Sequence, residues 1–211
     1  MSHPHGDTYA SFAELAARES EGRDFRRRLE ARPSPIAILA PHGGGIEPGT
    51  SEIAAALAGE EFSLYCFEGV KPVRNTRLHL TSTRFDEPLC LRLLSTTRTA
   101  IAIHGAARRD AAIAVGGRAE RLKTRIAAAL AAAGFTVEVE SAGSAAGRDE
   151  RNLCNRGTSG EGVQLELGAG FRRSLFAGRG PAGRKSMTPA FEAFVAAVRS
   201  ELAAASGANA V

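Results

Sequence analysis

Short, mostly apolar runs bounded by Pro or Gly recur along the 211-residue chain, and they constrain its fold more than any other feature. PIAILAPH (35–42), TAIAIHG (99–105) and AAIAVGG (111–117) are too short for ordinary helices and suit buried strands. FSLYCFEG (62–69), RLHLTS (77–82), FTVEVE (135–140) and VQLELG (163–168) also read as strands. Between them lie helical stretches. Thr50 and Ser51 can cap a helix through EIAAALAG to Gly59, and another helix is expected at roughly 87–97. RAERLKTRIAAALAAAG (118–134) closes on Gly134, and 188–205 carries Pro in its first turn. Residues 8–30 read as one or two amphipathic helices ending before Pro33, which makes 1–32 a helical N-terminal extension. A Gly- and Arg-rich loop covers about 141–162. Strands alternating with helices imply a single α/β domain over 1–211, with a mixed, mainly parallel sheet flanked by helices. The length suits one sizeable core and is short for two.

Composition narrows the function classes. No apolar run approaches the ~20 residues needed to span a bilayer. The N-terminal stretch is polar, without an apolar signal core, so a cytoplasmic location is the expectation, with release on lysis if the chain is of phage origin; a monomer is expected as well. Three cysteines at 66, 90 and 154 share no CxxC spacing and predict no disulfide framework. Cys66 and Cys90 sit among apolar neighbours as small buried hydrophobes, and no thiolate-activating partner can be named for Cys154. The net charge of +4 would suit any polyanion, nucleic acid or acidic polymer alike. The arginines are dispersed and aromatics make up only 6%, which argues against a base-stacking platform.

In open α/β sheets, sites form beyond the carboxyl ends of strands. His42 ends one apolar run, His104 ends another, and Glu166 sits within VQLELG. Glu47 follows His42 across the glycine-rich bend PHGGGIEPG, where three consecutive glycines let imidazole and carboxylate converge. Two imidazoles and a carboxylate form the donor set of catalytic zinc, with a fourth position left for water. A further carboxylate, Glu166, can serve as the general base. Each residue also has an ordinary reading, as a hydrogen-bonded strand-end histidine or a solvated strand glutamate. The bend lacks the Lys and spacing of a phosphate loop. His79, alternating with Leu78 and Leu80, reads as a structural histidine that could support the site from behind, and His3 and His5 receive no role.

APHGGGIEPGTSEIA (40–54) resembles the signature of the phage and bacterial poly-γ-glutamate hydrolases, a family also met as phage-related replication protein. The resemblance continues in family order through LYCFEG (64–69), LHLTSTRFDEP (78–88), AIAIHG (100–105), VGG (115–117), NLCNRG (152–157) and GVQLELGAGFR (162–172). It implies a zinc carboxypeptidase-like α/β fold with one zinc on His42, Glu47 and His104, and Glu166 as the catalytic glutamate. It also implies cleavage of γ-glutamyl amide bonds. The wider carboxypeptidase pattern is HxxE, whereas the spacing here is HxxxxE, so the ligand loop must differ locally. The implied anionic substrate carries free α-carboxylates, which a guanidinium fork suits. Arg156 beside Asn155 is the first candidate to hold one, and Arg172 the second. Rival readings are an N-acyl amino acid deacylase and a nucleic-acid-binding phage accessory protein, though the chain carries no recognised DNA-binding motif.

Overall fold

The computed structural model describes residues 6–107, 112–178 and 180–207; His3 and His5 lie outside the described residues. In chain order the elements are α1 (Phe12–Ala16), β1 (Phe25–Glu30), β2 (Ile36–Gly44), α2 (Thr50–Ala58), β3 (Ser63–Gly69), α3 (Pro88–Leu94) and β4 (Thr99–Ala106). There follow β5 (Ile113–Gly116), α4 (Glu120–Ala132), β6 (Val137–Val139), β7 (Val163–Gly168), α5 (Ala169–Ser174), α6 (Gly180–Gly183) and α7 (Pro189–Gly207). The strands form one mixed sheet in the order β1-β3-β2-β4-β7-β5-β6. Its centre, β3-β2-β4-β7, is parallel, while β1 runs antiparallel to β3 and β5 antiparallel to β7.

Both faces of the sheet are covered, which explains why the central strands read as unbroken apolar runs. Ile36, Ile38 and Ala40 of β2 pack with Ile101, Ile103, Leu165 and Leu167 in the core shared by α2, α4 and α7. Ala37 and Leu39 point the other way, towards Tyr65, Phe67, Phe85 and the residues of α1 and α3. No described helix is long and apolar enough to cross a membrane. The three cysteines are free and buried, and burial pushes the thiols of Cys66 and Cys154 up to about 12.

Between Ala40 and Gly43 the register of β2 against β3 shifts by one residue, at Pro41. Proline has no N–H to give a ladder, and such a bulge rephases the side chains beyond it. By simple alternation from Ile38 and Ala40, His42 would enter the core under α2 and α4. The bulge turns it to the opposite face, which it shares with His104 and Glu166.

Three expectations fail. The N-terminal extension is not helical throughout: α1 has five residues, and FRRRLE forms the edge strand β1. Packing overrides the helical pattern there, since the Phe25 ring lies 5.2 Å from Phe67 and 5.9 Å from Phe12. RLHLTS is not a strand but a 3-10 turn, Asn75–Leu78, followed by irregular backbone. Its polar groups are met elsewhere: His79 N–H donates to the Thr76 carbonyl and Thr81 N–H to Asp7. Finally, neither Thr50 nor Ser51 caps α2. The N-cap is Gly49 at φ 100°, and the Thr50 hydroxyl donates back to the Glu47 carbonyl.

Candidate metal centre and hydrolytic cleft

The carboxyl ends of β2, β4 and β7 open into a cleft of about 340 Å³, and His42, Glu47, His79, His104, Gln164 and Glu166 lie in its wall. The loop after β2 is braced from within. Glu47 N–H donates to the His42 carbonyl at 2.8 Å, and Gly45 N–H to the Gly69 carbonyl at 2.8 Å. Gly44, at φ 63°, passes so close to Gly69 that a Cβ would lie 2.4 Å from its carbonyl oxygen. Glycine is required at that crossing.

Three of the predicted residues meet at one point. His42 Nδ1 lies 3.1 Å from His104 Nδ1 and 3.2 Å from Glu47 Oε1. His104 Nδ1 is 3.9 Å from Glu47 Oε2, which accepts the Gly105 N–H at 2.7 Å. The far side of each ring is also engaged. His42 Nε2 donates to the Leu80 carbonyl at 2.8 Å, and His104 Nε2 pairs with the Ser82 hydroxyl at 3.2 Å. A carbonyl only accepts, so His42 carries its proton on Nε2 and turns the Nδ1 lone pair towards the Glu47 carboxylate. Lone pair and carboxylate at that distance in a buried site need a cation between them, a proton or a metal ion. Tetrahedral zinc, with bonds of about 2.0–2.1 Å, sets neighbouring donors about 3.3 Å apart, so the 3.1 and 3.2 Å spacings suit the ion and the 3.9 Å one is wider.

The electrostatics follow from burial and close charges. Burial opposes ionisation of Glu47, but His42 and the Gly105 N–H outweigh it and hold the carboxyl at about 2. Burial and then His42 press His104 down to about 3. Burial lowers His42 too, yet the adjacent Glu47 carboxylate raises it overall. His104 is therefore a neutral imidazole at pH 7, the form in which imidazole binds metal.

Sequence reasoning undervalued His79. Its ring stacks on that of His42 with centroids 4.0 Å apart, and its Nδ1 pairs with Asp7 Oδ1 at 2.7 Å. Its Nε2 lies 4.0 Å from Glu47 Oε1, so His42, Glu47 and His79 can also offer one donor each within 4.8 Å. The period-2 reading of RLHLTS hid this, because no strand forms there.

Glu166 stands opposite His104 in the parallel β4–β7 register. Burial, and then the nearby Glu47 charge, lift its carboxyl to about 7. A chain of amides holds it: Asn152 Nδ2 donates to Gln164 Oε1 at 2.8 Å, and Gln164 Nε2 to Glu166 Oε1 at 3.1 Å.

The expected substrate-binding residues do not join this group. Arg156 is exposed and donates to the Phe85 carbonyl at 2.8 Å, away from the cleft lining. Asn155 is buried, its amide donating to the Gly147 and Asp149 carbonyls at 2.7 and 2.9 Å. Arg172 is also buried and spends its guanidinium on the carbonyls of Pro48, Ala106 and Leu167. Each is engaged with backbone carbonyls.

Comparison with known proteins places the chain in a family. The family model described as poly-γ-glutamate hydrolase matches residues 9–197. UPF0714 protein YndL of Bacillus subtilis (strain 168) is 40% identical over 171 residues, 81% of this chain and 67% of that protein. The structure of a bacteriophage poly-γ-glutamate hydrolase superposes with a TM-score of 0.92 at 33% identity, over 96% of this chain and all of that one. A zinc-free apo form of YndL gives 0.90 at 35%, covering 94% and 98%. Over nearly its whole described length the chain belongs to the poly-γ-glutamate hydrolase family.

Proposed function

We propose that the chain is a zinc-dependent hydrolase that cleaves γ-glutamyl amide bonds in an anionic γ-glutamyl polymer or peptide. The observation that carries this reading is the meeting of His42 Nδ1, His104 Nδ1 and Glu47 at 3.1–3.9 Å, with both far ring nitrogens already engaged. His42, Glu47 and His104 would hold one zinc ion. When bound, zinc lowers the pKa of a water molecule towards ~7 and polarises the scissile carbonyl. His79, with Asp7 on its Nδ1, packs against His42 and fixes that ring in place rather than acting as a ligand.

Glu166 does the proton work. Gln164 occupies Oε1, which leaves the rest of the carboxylate for the attacking water. Glu166 takes a proton from that water and returns it to the departing amide nitrogen. Burial, the larger cause of its upward shift, keeps the protonated form of Glu166 within reach for the second transfer.

The deciding experiment measures zinc by elemental analysis together with release of glutamate oligomers from poly-γ-glutamate, for wild type and His42→Ala. Near one zinc per wild-type chain and hydrolysis, both lost in the variant, is the expected result. A wild type that hydrolyses the polymer equally well after chelation would refute the zinc mechanism. Hydrolysis of N-acyl amino acids but not of γ-glutamyl chains would replace the substrate by that of a deacylase.

A further inference from the structure

A polymer joined through γ-carboxyls presents a free α-carboxylate on every residue, and the cleft needs a cation to recognise it. Among the described residues lining the cleft, Arg148 is the one lysine or arginine. It stands in the loop facing Glu166, on backbone that is firmly held. The buried Asn155 side chain donates to the carbonyls on both sides of residue 148, those of Gly147 and Asp149. Gly117 N–H donates to the Ala146 carbonyl at 2.7 Å, and Gly147 adopts φ 59° against Gln164. The backbone under Arg148 is thereby fixed relative to β7.

The side chain is held far more loosely. Its guanidinium donates to Glu120 Oε1 at 2.8 Å, and the two side chains are 55% and 56% exposed. Such solvated pairs contribute little and exchange readily. Glu120 has a second partner in Lys123, whose Nζ lies 2.8 Å from Oε2 and whose side chain is only 4% exposed. When Arg148 departs, Glu120 remains paired. Arg156 and Arg172, by contrast, are committed to backbone carbonyls.

We infer that Arg148 is the specificity-determining residue of the cleft, exchanging Glu120 for the α-carboxylate of the glutamyl unit beside the scissile bond. This rests on the reading of the chain as a γ-glutamyl hydrolase. Arginine offers two parallel N–H groups to a carboxylate, so lysine should replace it only in part.

The test compares zinc-loaded wild type, Arg148→Gln, Arg148→Lys and Glu120→Gln on a γ-glutamyl oligomer and on the same oligomer with its α-carboxyls amidated. Losing a charge-assisted pair should raise KM about tenfold or more for Arg148→Gln on the carboxylate oligomer. Arg148→Lys should fall between it and wild type, and the difference should vanish on the amidated oligomer. Glu120→Gln, which removes the competing carboxylate, should lower KM; a rise would overturn the exchange. Equal KM for wild type and Arg148→Gln on the carboxylate oligomer would overturn the assignment. If wild type hydrolysed neither oligomer, the hydrolase reading itself would fall. Calorimetric binding of the carboxylate oligomer then still decides for Arg148: weaker in Arg148→Gln supports it, and equal binding refutes it.

Discussion

His42 Nε2 donates to the carbonyl oxygen of Leu80 at 2.8 Å, and this bond decides which ring nitrogen faces Glu47 and His104. Leu80 belongs to the segment that departs from strand geometry, so the irregular backbone there supplies a carbonyl that a ladder would have consumed. The far-side bond pre-orients the ring before any ion arrives.

A first expectation separates the three histidines. His42→Ala and His104→Ala should each lose zinc on mild dialysis, leaving close to none by elemental analysis. His79→Ala should keep the ion but bind it about 10–100-fold more weakly, as loss of an outer partner does. Zinc loss in His79→Ala with full occupancy in His104→Ala would exchange their roles.

Glu166→Gln is nearly isosteric and removes only the proton acceptor. Zinc content should stay at the wild-type level, while kcat falls by about 10²–10⁴. Turnover within a few-fold of wild type would take Glu166 out of the chemistry.

The metal-free Glu166→Gln protein should lose stability as the pH falls from 7.5 to 5.5. His79 is pressed to about 4, by burial and then by His42, and His104 to about 3, so both stay neutral in the fold. Their unfolded counterparts take up protons below about 6.5, which favours unfolding in that window. His42 is shifted upwards and acts in the opposite sense: its contribution is present below 6.5 and is lost as pH rises through its raised pKa. Two against one leaves a net loss on the order of 1 kcal/mol, readable from denaturant midpoints. The lowered carboxylates titrate below this range, and the substitution removes Glu166, whose carboxyl at about 7 would take up a proton in the fold within this window and offset the loss. A midpoint that rises on acidification would mean that the cluster is charged differently.

Gly105→Ala should damage the site without replacing a ligand. A Cβ there would lie 2.9 Å from Glu47 Cβ and 2.4 Å from the Arg172 guanidinium. Arg172 is pinned by the Pro48, Ala106 and Leu167 carbonyls and has little room to retreat. We expect a destabilisation of about 1–3 kcal/mol and weaker zinc binding, measured by unfolding and by competition with a chromophoric chelator. Wild-type values for both would show that the wall yields.

Most of the sheet was legible because its central strands are short, apolar and punctuated by glycine. His42, Glu47, His104 and Glu166 could be grouped because strand ends in such a sheet share one crevice, and the structure gathers all four there. The bulge at Pro41 could not be read, although His42 owes its orientation to it. β1 was hidden because its arginines suit a helix face as well as a sheet edge. Arg156 and Asn155 stand apart from the cleft lining for a different reason. A guanidinium or an amide next to a site can as readily satisfy backbone carbonyls as bind a ligand, and only coordinates separate the two.

His42 and His104 are 62 residues apart, and they become neighbours only when β2 and β4 align side by side. A chain in which that pairing has not formed offers His42 and Glu47 without His104, and so lacks one donor of the proposed set. With zinc held as proposed, metal uptake would be an assembly checkpoint: a population that binds it stoichiometrically would have closed the middle of its sheet, and substoichiometric zinc would count the molecules that have not.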